Sequence, residues 1–150
     1  MKLYNILFPI WLFWIFPTYV WMIILPINFL LDSLVVLWMA KRNHVELSVW
    51  KKSILNIWII GFVSDIVGAL LILLLMIGID FLNFPWDTMH FPGTTLMSIP
   101  GVILAGILIY HLNRKMSFMN CNIDENTVKK ISMALAIFTA PYAMLIPLYG

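Results

Sequence analysis

The polar positions in this chain are few, and they divide it into long apolar runs. From Leu3 to Ala40 only Asn5, Thr18, Asn28, Asp32 and Ser33 break the apolar pattern, apart from three prolines. As one helix this stretch would be ~57 Å long, nearly twice the ~30 Å hydrocarbon core of a bilayer. It must therefore be divided. Pro9, Pro17 and Pro26 are the available break points, because each removes a backbone donor and crowds the preceding turn. A division near Pro17 leaves residues 19–40 as a first span. Residues 3–16 are then too short to cross, and they are crowded with Tyr4, Phe8, Trp11, Phe13, Trp14 and Phe16. Trp and Tyr favour the headgroup boundary, so this segment is expected to lie at the interface or to re-enter it. Lys2 followed by an apolar run also fits a secretory signal, but bulky aromatics occupy the place of a small-residue cleavage site, which argues against one.

Three more apolar runs follow, at about 54–79, 95–113 and 131–148, and Pro141 and Pro147 predict a kink or early end in the last. The expectation is an all-α membrane protein with four transmembrane helices and an N-terminal interfacial or re-entrant helix. Residues 1–18 form that N-terminal segment and residues 19–150 the bundle. No internal repeat of fixed period is visible.

Composition supports the same reading. Hydrophobic residues make up 63% of the chain, charged residues 11%, and the mean hydropathy is +0.97. A soluble domain carries about 25% charged residues, so this chain has too little polar surface to coat a water-facing globule. The net charge of +2 says less than its distribution. Lys41, Arg42, Lys51 and Lys52 lie between the first two runs, and Arg114, Lys115, Lys129 and Lys130 between the last two. The connection from Asp80 to Gly93 has no Lys or Arg. Eight of nine basic residues thus fall on one side, the positive-inside pattern of a bacterial inner or plasma membrane, with both termini outside. These bases argue for orientation and lipid headgroup contact, and no direct nucleic-acid binding is expected. Cys121 is the sole cysteine, which excludes an intramolecular disulfide and a CxxC redox motif.

Two acids stand inside the runs. Asp32 lies ~13 Å and Asp65 ~17 Å from the basic end of their spans, at 1.5 Å per residue. The short loop between those spans makes them antiparallel neighbours, so the two carboxyls can meet. Asn28 is four residues before Asp32 and shares its face. Gly61, Ser64, Asp65 and Gly68 form one stripe of the second span, where small residues allow close helix approach and Ser64 can donate across the gap. A charged Asp at mid-membrane costs ~2.5–3.5 kcal/mol on insertion scales, and no Lys or Arg lies at this depth to offset it. Protonation, a bound cation or a basic residue from a partner chain would each relieve that cost. Intramembrane acids of this kind mark ion and proton pathways. They also serve as hydrogen-bonding glue between helices.

Asp32, Asp65, Asn28 and Ser64 are accordingly the candidate ion or proton site, with Thr139 and Tyr142 as hydroxyls at similar depth. Gly61, Gly68, Gly101 and Ala105 are the candidate packing residues. In the outer loop Asp80, Asp87 and His90 offer metal donors, but the neighbouring Phe84, Trp86 and Phe91 better fit an aromatic interfacial anchor. No cofactor fingerprint, nucleophile motif or phosphate loop occurs, and no enzyme activity is expected. Paired aspartates raise the possibility of an intramembrane aspartic protease, but the contexts NFLLDSL and FVSDIVGAL lack the Gly-Asp setting such a site calls for. The functional expectation is an oligomeric pore or transport subunit handling protons or small cations. The alternative is a non-catalytic subunit of a larger secretion, DNA-transfer or defence complex. The expected partners are the lipid bilayer and either further copies of the chain or another membrane protein.

Overall fold

A computed structural model describes residues 19, 21–85, 87 and 90–146. The expected interfacial segment at 3–16, together with Trp86 and Pro147, lies outside the described residues. Helix α1 is Trp21–Arg42, α2 is Ser48–Phe81, α3 is Gly93–Leu112 and α4 is Glu125–Phe138. A wide π turn, Asn113–Ser117, prolongs α3, and a 3-10 turn, Tyr142–Leu145, follows α4. No strand occurs among the described residues. Four segments are long and apolar enough to cross a membrane: Trp21–Arg42, Ser48–Phe81, Gly93–Ser117 and Glu125–Leu145. The chain is all-α, as the apolar runs predict.

Short connections force neighbouring helices to run antiparallel. Helix α1 packs on α2 and α4, and α3 packs on the same two, so the helices close a ring. Residues 43–47 and 118–124 sit at one end of this bundle, with all eight bases of the two basic segments near them. The outer faces carry exposed Leu30, Leu34, Leu55, Leu74 and Ile103. An apolar belt of this extent is a liability in water and a requirement against acyl chains.

The helix ends depart from the apolar runs for identifiable reasons. Helix α2 begins at Ser48, six residues before its apolar run, so Lys51 and Lys52 ride on its first turns and not in a loop. At 34 residues it is ~51 Å long, so it must tilt or extend past the hydrocarbon. Its end is set by Asn83, whose left-handed backbone (φ 49°) stops the helix. Helix α4 likewise begins early, at Glu125, and carries Lys129 and Lys130 on its side. Asp124 starts it: its Oδ2 accepts from Thr127 N at 2.9 Å. Hydrogen bonds from the Thr127 side chain and backbone hold the Asp124 carboxyl below its ordinary value of 3.8. The cap's contribution is therefore complete above that ordinary value and is lost as pH falls through the lowered one. Asp124→Ala is expected to speed amide exchange at Thr127 and through the first turn of α4, with α1–α3 unchanged. Equal exchange in both proteins would remove the cap from this account.

At the far end of α4 the apolar run reaches residue 148, with a kink or early end expected at Pro141, and α4 stops at Phe138. Pro141 has no N–H to offer the Ile137 carbonyl, and that carbonyl accepts instead from the Tyr142 hydroxyl at 2.6 Å. The chain then turns through Tyr142–Leu145, which Thr95 Oγ1 ties to α3 by donating to Leu145 O at 3.0 Å.

Two apolar cores fill the bundle. One, toward the basic end, contains Val36, Ile57, Ile109, Ile131 and Leu135. The other, toward the opposite end, contains Ala69, Ile72, Met76, Val102 and Met144. Against this second core α2 and α3 come to backbone contact. A Cβ added at Gly68 would stand 2.6 Å from Gly101 O, and one at Gly101 would stand 2.6 Å from Gly68 O. Only paired glycines allow this approach.

Candidate functional site in the acidic layer

The two cores do not merge, because α1, α2 and the end of α4 change character between them. On α1 the interruption is Asn28 and Asp32, and on α2 it is Gly61 and Asp65. On the C-terminal side of α4 it is Thr139. Asp32 and Asp65 are both buried, at 3% and 2% exposure, so neither is a surface charge on the lipid-facing side.

Their register follows from the antiparallel pairing of α1 with α2. Asn28 Nδ2 donates to Asp65 Oδ2 at a long 3.4 Å. One turn nearer the basic end, Asp32 Oδ2 lies 3.5 Å from the position a Cβ would take at Gly61. Each acid therefore faces a polar or absent side chain on the other helix, and the two carboxyls are offset along the bundle by about one turn, ~5 Å. Aromatic contacts hold the pairing on either side of this layer. Trp21 meets Phe62 and Phe29 meets Trp58 edge to face, with centroids 4.9 and 6.0 Å apart. The Trp58 indole also donates to Leu25 O at 3.0 Å, just before Pro26.

Helix α4 completes the layer where it breaks. The Thr139 hydroxyl is within hydrogen-bond reach of the Asp32 carboxyl and donates to Leu135 O at 2.8 Å. It has one proton for two acceptors. A carboxylate at Asp32 competes with Leu135 for it, whereas a carboxylic acid donates to Thr139 and leaves the Leu135 bond intact. Beside this point lies a cavity of about 340 Å³ whose polar lining includes Asn28, Asp65, Thr139 and Tyr142. Ile27, Leu31 and Tyr142 on its rim are exposed, so it opens sideways between α1 and the α4 break.

Of the residues singled out in the sequence, the fold brings Asn28, Asp32, Asp65 and Gly61 together, with Thr139 and Tyr142 alongside. Ser64 is buried, but its hydroxyl donates to its own helix at Ile60 O, 2.7 Å away, and not across the gap. Gly68, Gly101 and Ala105 belong to the α2–α3 contact and not to the acids. Two buried hydroxyls that sequence reasoning passed over, Ser33 and Ser132, have no hydrogen-bond partner among the described residues. A serine in an apolar run gives no sign of whether it bonds back to its own helix, as Ser64 does, so nothing in the sequence distinguishes these two. In the connection between α2 and α3, His90 Nδ1 and Asp87 Oδ2 are 2.9 Å apart and exposed. Among the described residues no three His, Cys, Asp or Glu side chains gather as a metal site would need. Compared with known proteins, the chain matches no family model, and no curated protein or solved structure shows significant similarity to it.

Proposed function

We propose that the chain is a subunit of an oligomeric membrane pore or transporter that passes protons or small cations by way of Asp32 and Asp65. The observation that carries this reading is the cavity at the α4 break, which gives access to a buried carboxyl. Oxygen donors converge there from a broken helix and two flanking ones, the arrangement from which intramembrane cation sites are built. The sideways opening supports an oligomer. In a lone chain the mouth would meet acyl chains, which solvate neither an ion nor a carboxylate, and a second copy would enclose it. The positive-inside pattern supports an orientation with the basic end on the cytoplasmic side of a plasma or bacterial inner membrane and both described ends of the chain outside.

Reconstitution of the full chain into vesicles tests the reading. Wild-type protein is expected to dissipate an imposed proton or monovalent-cation gradient, and Asp65→Asn to reduce the flux at least tenfold, with Asp32→Asn also impaired. Flux that persists undiminished in both variants, or its absence from a folded wild-type oligomer, overturns the proposal. The same open mouth admits a second reading, in which a partner chain inserts a basic residue against Asp65 and this chain is a structural subunit of a larger complex. Under that reading the vesicles stay tight, and Asp65→Asn releases a specific membrane partner.

A further inference from the structure

A second concave feature runs between α1 and α4, from the basic end to the edge of the acidic cavity, with which it shares Leu31 and Phe138. At the basic end a cavity of about 530 Å³ has Arg42, Lys129 and Lys130 at its mouth and Met39, Met133 and Ile137 among its walls. A further cavity of about 460 Å³ continues it toward mid-membrane along Leu31, Leu34 and Val35. Trp38 and Phe138 belong to both, so the two form one groove. Their rings are locked edge to face, with centroids 5.8 Å apart, and the Arg42 guanidinium lies over the Trp38 ring at 5.7 Å.

We propose that this groove binds an anionic phospholipid, with the phosphate against Arg42, Lys129 and Lys130 and one acyl chain lying along Leu31, Leu34 and Val35. Three features select that occupant. The first is charge: among the described residues none of the three bases is in an ion pair. The nearby Glu125 is committed to Arg114, and Asp124, whose charge acts on Lys130, is committed to capping α4. The second is polarity, which changes once along the groove, from basic to wholly apolar, in the order of a lipid from headgroup to tail. The third is length. Eleven residues of α1 separate Arg42 from Leu31, ~16 Å at 1.5 Å per residue, which matches one leaflet of a ~30 Å hydrocarbon core. A peptide or soluble anion has no use for the apolar half, and a neutral lipid has no use for the bases. Trp38 sits where the two halves meet, the depth at which amphipathic rings settle.

Native mass spectrometry of the full chain in detergent, titrated with phosphatidylglycerol or phosphatidylcholine of identical acyl chains, tests the site. Each cation near an anionic headgroup strengthens binding about fivefold, so a preference for phosphatidylglycerol on the order of tenfold or more is expected. The triple variant Arg42→Gln, Lys129→Gln, Lys130→Gln is expected to bring the two lipids within about twofold of each other. The control Lys41→Gln, Lys51→Gln, Lys115→Gln removes three exposed bases from the same end of the bundle but not from the groove, and should keep the preference. Equal loss in both triple variants would reduce the effect to general surface attraction and overturn the site. Two measurements on wild-type protein decide independently of any variant. Equal binding of the two lipids overturns the proposal. So does displacement of bound phosphatidylglycerol by an equal concentration of soluble glycerophosphoglycerol, which has the headgroup without the tail.

Discussion

Gly68→Ala and Gly101→Ala are each expected to destabilise the bundle by about 1–3 kcal/mol, the usual cost of forcing a methyl into a filled contact. The geometry leaves little room for relief. At Gly68 the new methyl meets the backbone carbonyl of Gly101 at 2.6 Å and the Ala105 methyl at 3.2 Å. At Gly101 it meets the Gly68 carbonyl at 2.6 Å and Ile72 Cγ1 at 2.5 Å. A side chain can turn aside, but a carbonyl in the middle of a helix moves only with the helix. Both substitutions thus push α2 and α3 apart, and because the separation is shared, the double variant should cost less than the two singles together. Gly78 supplies the control. A Cβ there meets nothing within 4 Å, so Gly78→Ala should be neutral or stabilising by up to about 1 kcal/mol through helix propensity. Thermal unfolding in micelles compares these four variants with wild type. If Gly68→Ala and Gly78→Ala unfold alike, the backbone contact between α2 and α3 is not what holds them.

The same glycines show how far the sequence could be read. Apolar runs located the four spans because a bilayer demands a minimum length of uncharged chain, a constraint visible residue by residue. Helix ends escaped that reading. An apolar run marks what lies in hydrocarbon, while α2 and α4 extend beyond it with Lys51, Lys52, Lys129 and Lys130 on their turns. Such lysines stay hydrated in the headgroup region without ending a helix. Pro141 signalled a disturbance in the last run, and the donor it lacks accounts for the break. The 3-10 turn that follows depends on Thr95 across the bundle, which no local pattern reveals.

The acidic site was legible in part for a similar reason. Helical spacing placed Asn28 with Asp32, and Gly61 with Asp65, on single faces. Which residue of one helix meets which of the other depends on the loop and the crossing. The fold pairs Asn28 with Asp65 and Asp32 with Gly61. The stripe from Gly61 to Gly68 looked like one surface but serves two neighbours, since Gly61 faces α1 and Gly68 faces α3. The division of the interior into two apolar cores around a polar layer emerges only when four helices are in register.

That layer poses an energetic question that stability measurements can answer. An ionised Asp at mid-membrane costs about 2.5–3.5 kcal/mol on insertion scales. An interhelical hydrogen bond in a membrane returns about 0.6 kcal/mol on average and at most about 1.7. Hydrogen bonding alone therefore does not offset a carboxylate here, and asparagine would supply the same bond without the charge. Asp65→Asn, which keeps the size of the side chain and its contact with Asn28, is expected to unfold no more readily than wild type while losing flux. Asp32→Asn should behave alike, since an amide can donate to Thr139 Oγ1 as a carboxylic acid does. Asp65→Leu makes the contrast: it strips Asn28 Nδ2 of its acceptor in a part-buried setting, so it should destabilise by about 1–3 kcal/mol. Stability retained in the asparagine variants with flux lost means that the carboxyls are kept for their charge chemistry. If both asparagine variants unfold more easily than wild type and the vesicles leak as before, the acids hold the helices together and the transport reading fails.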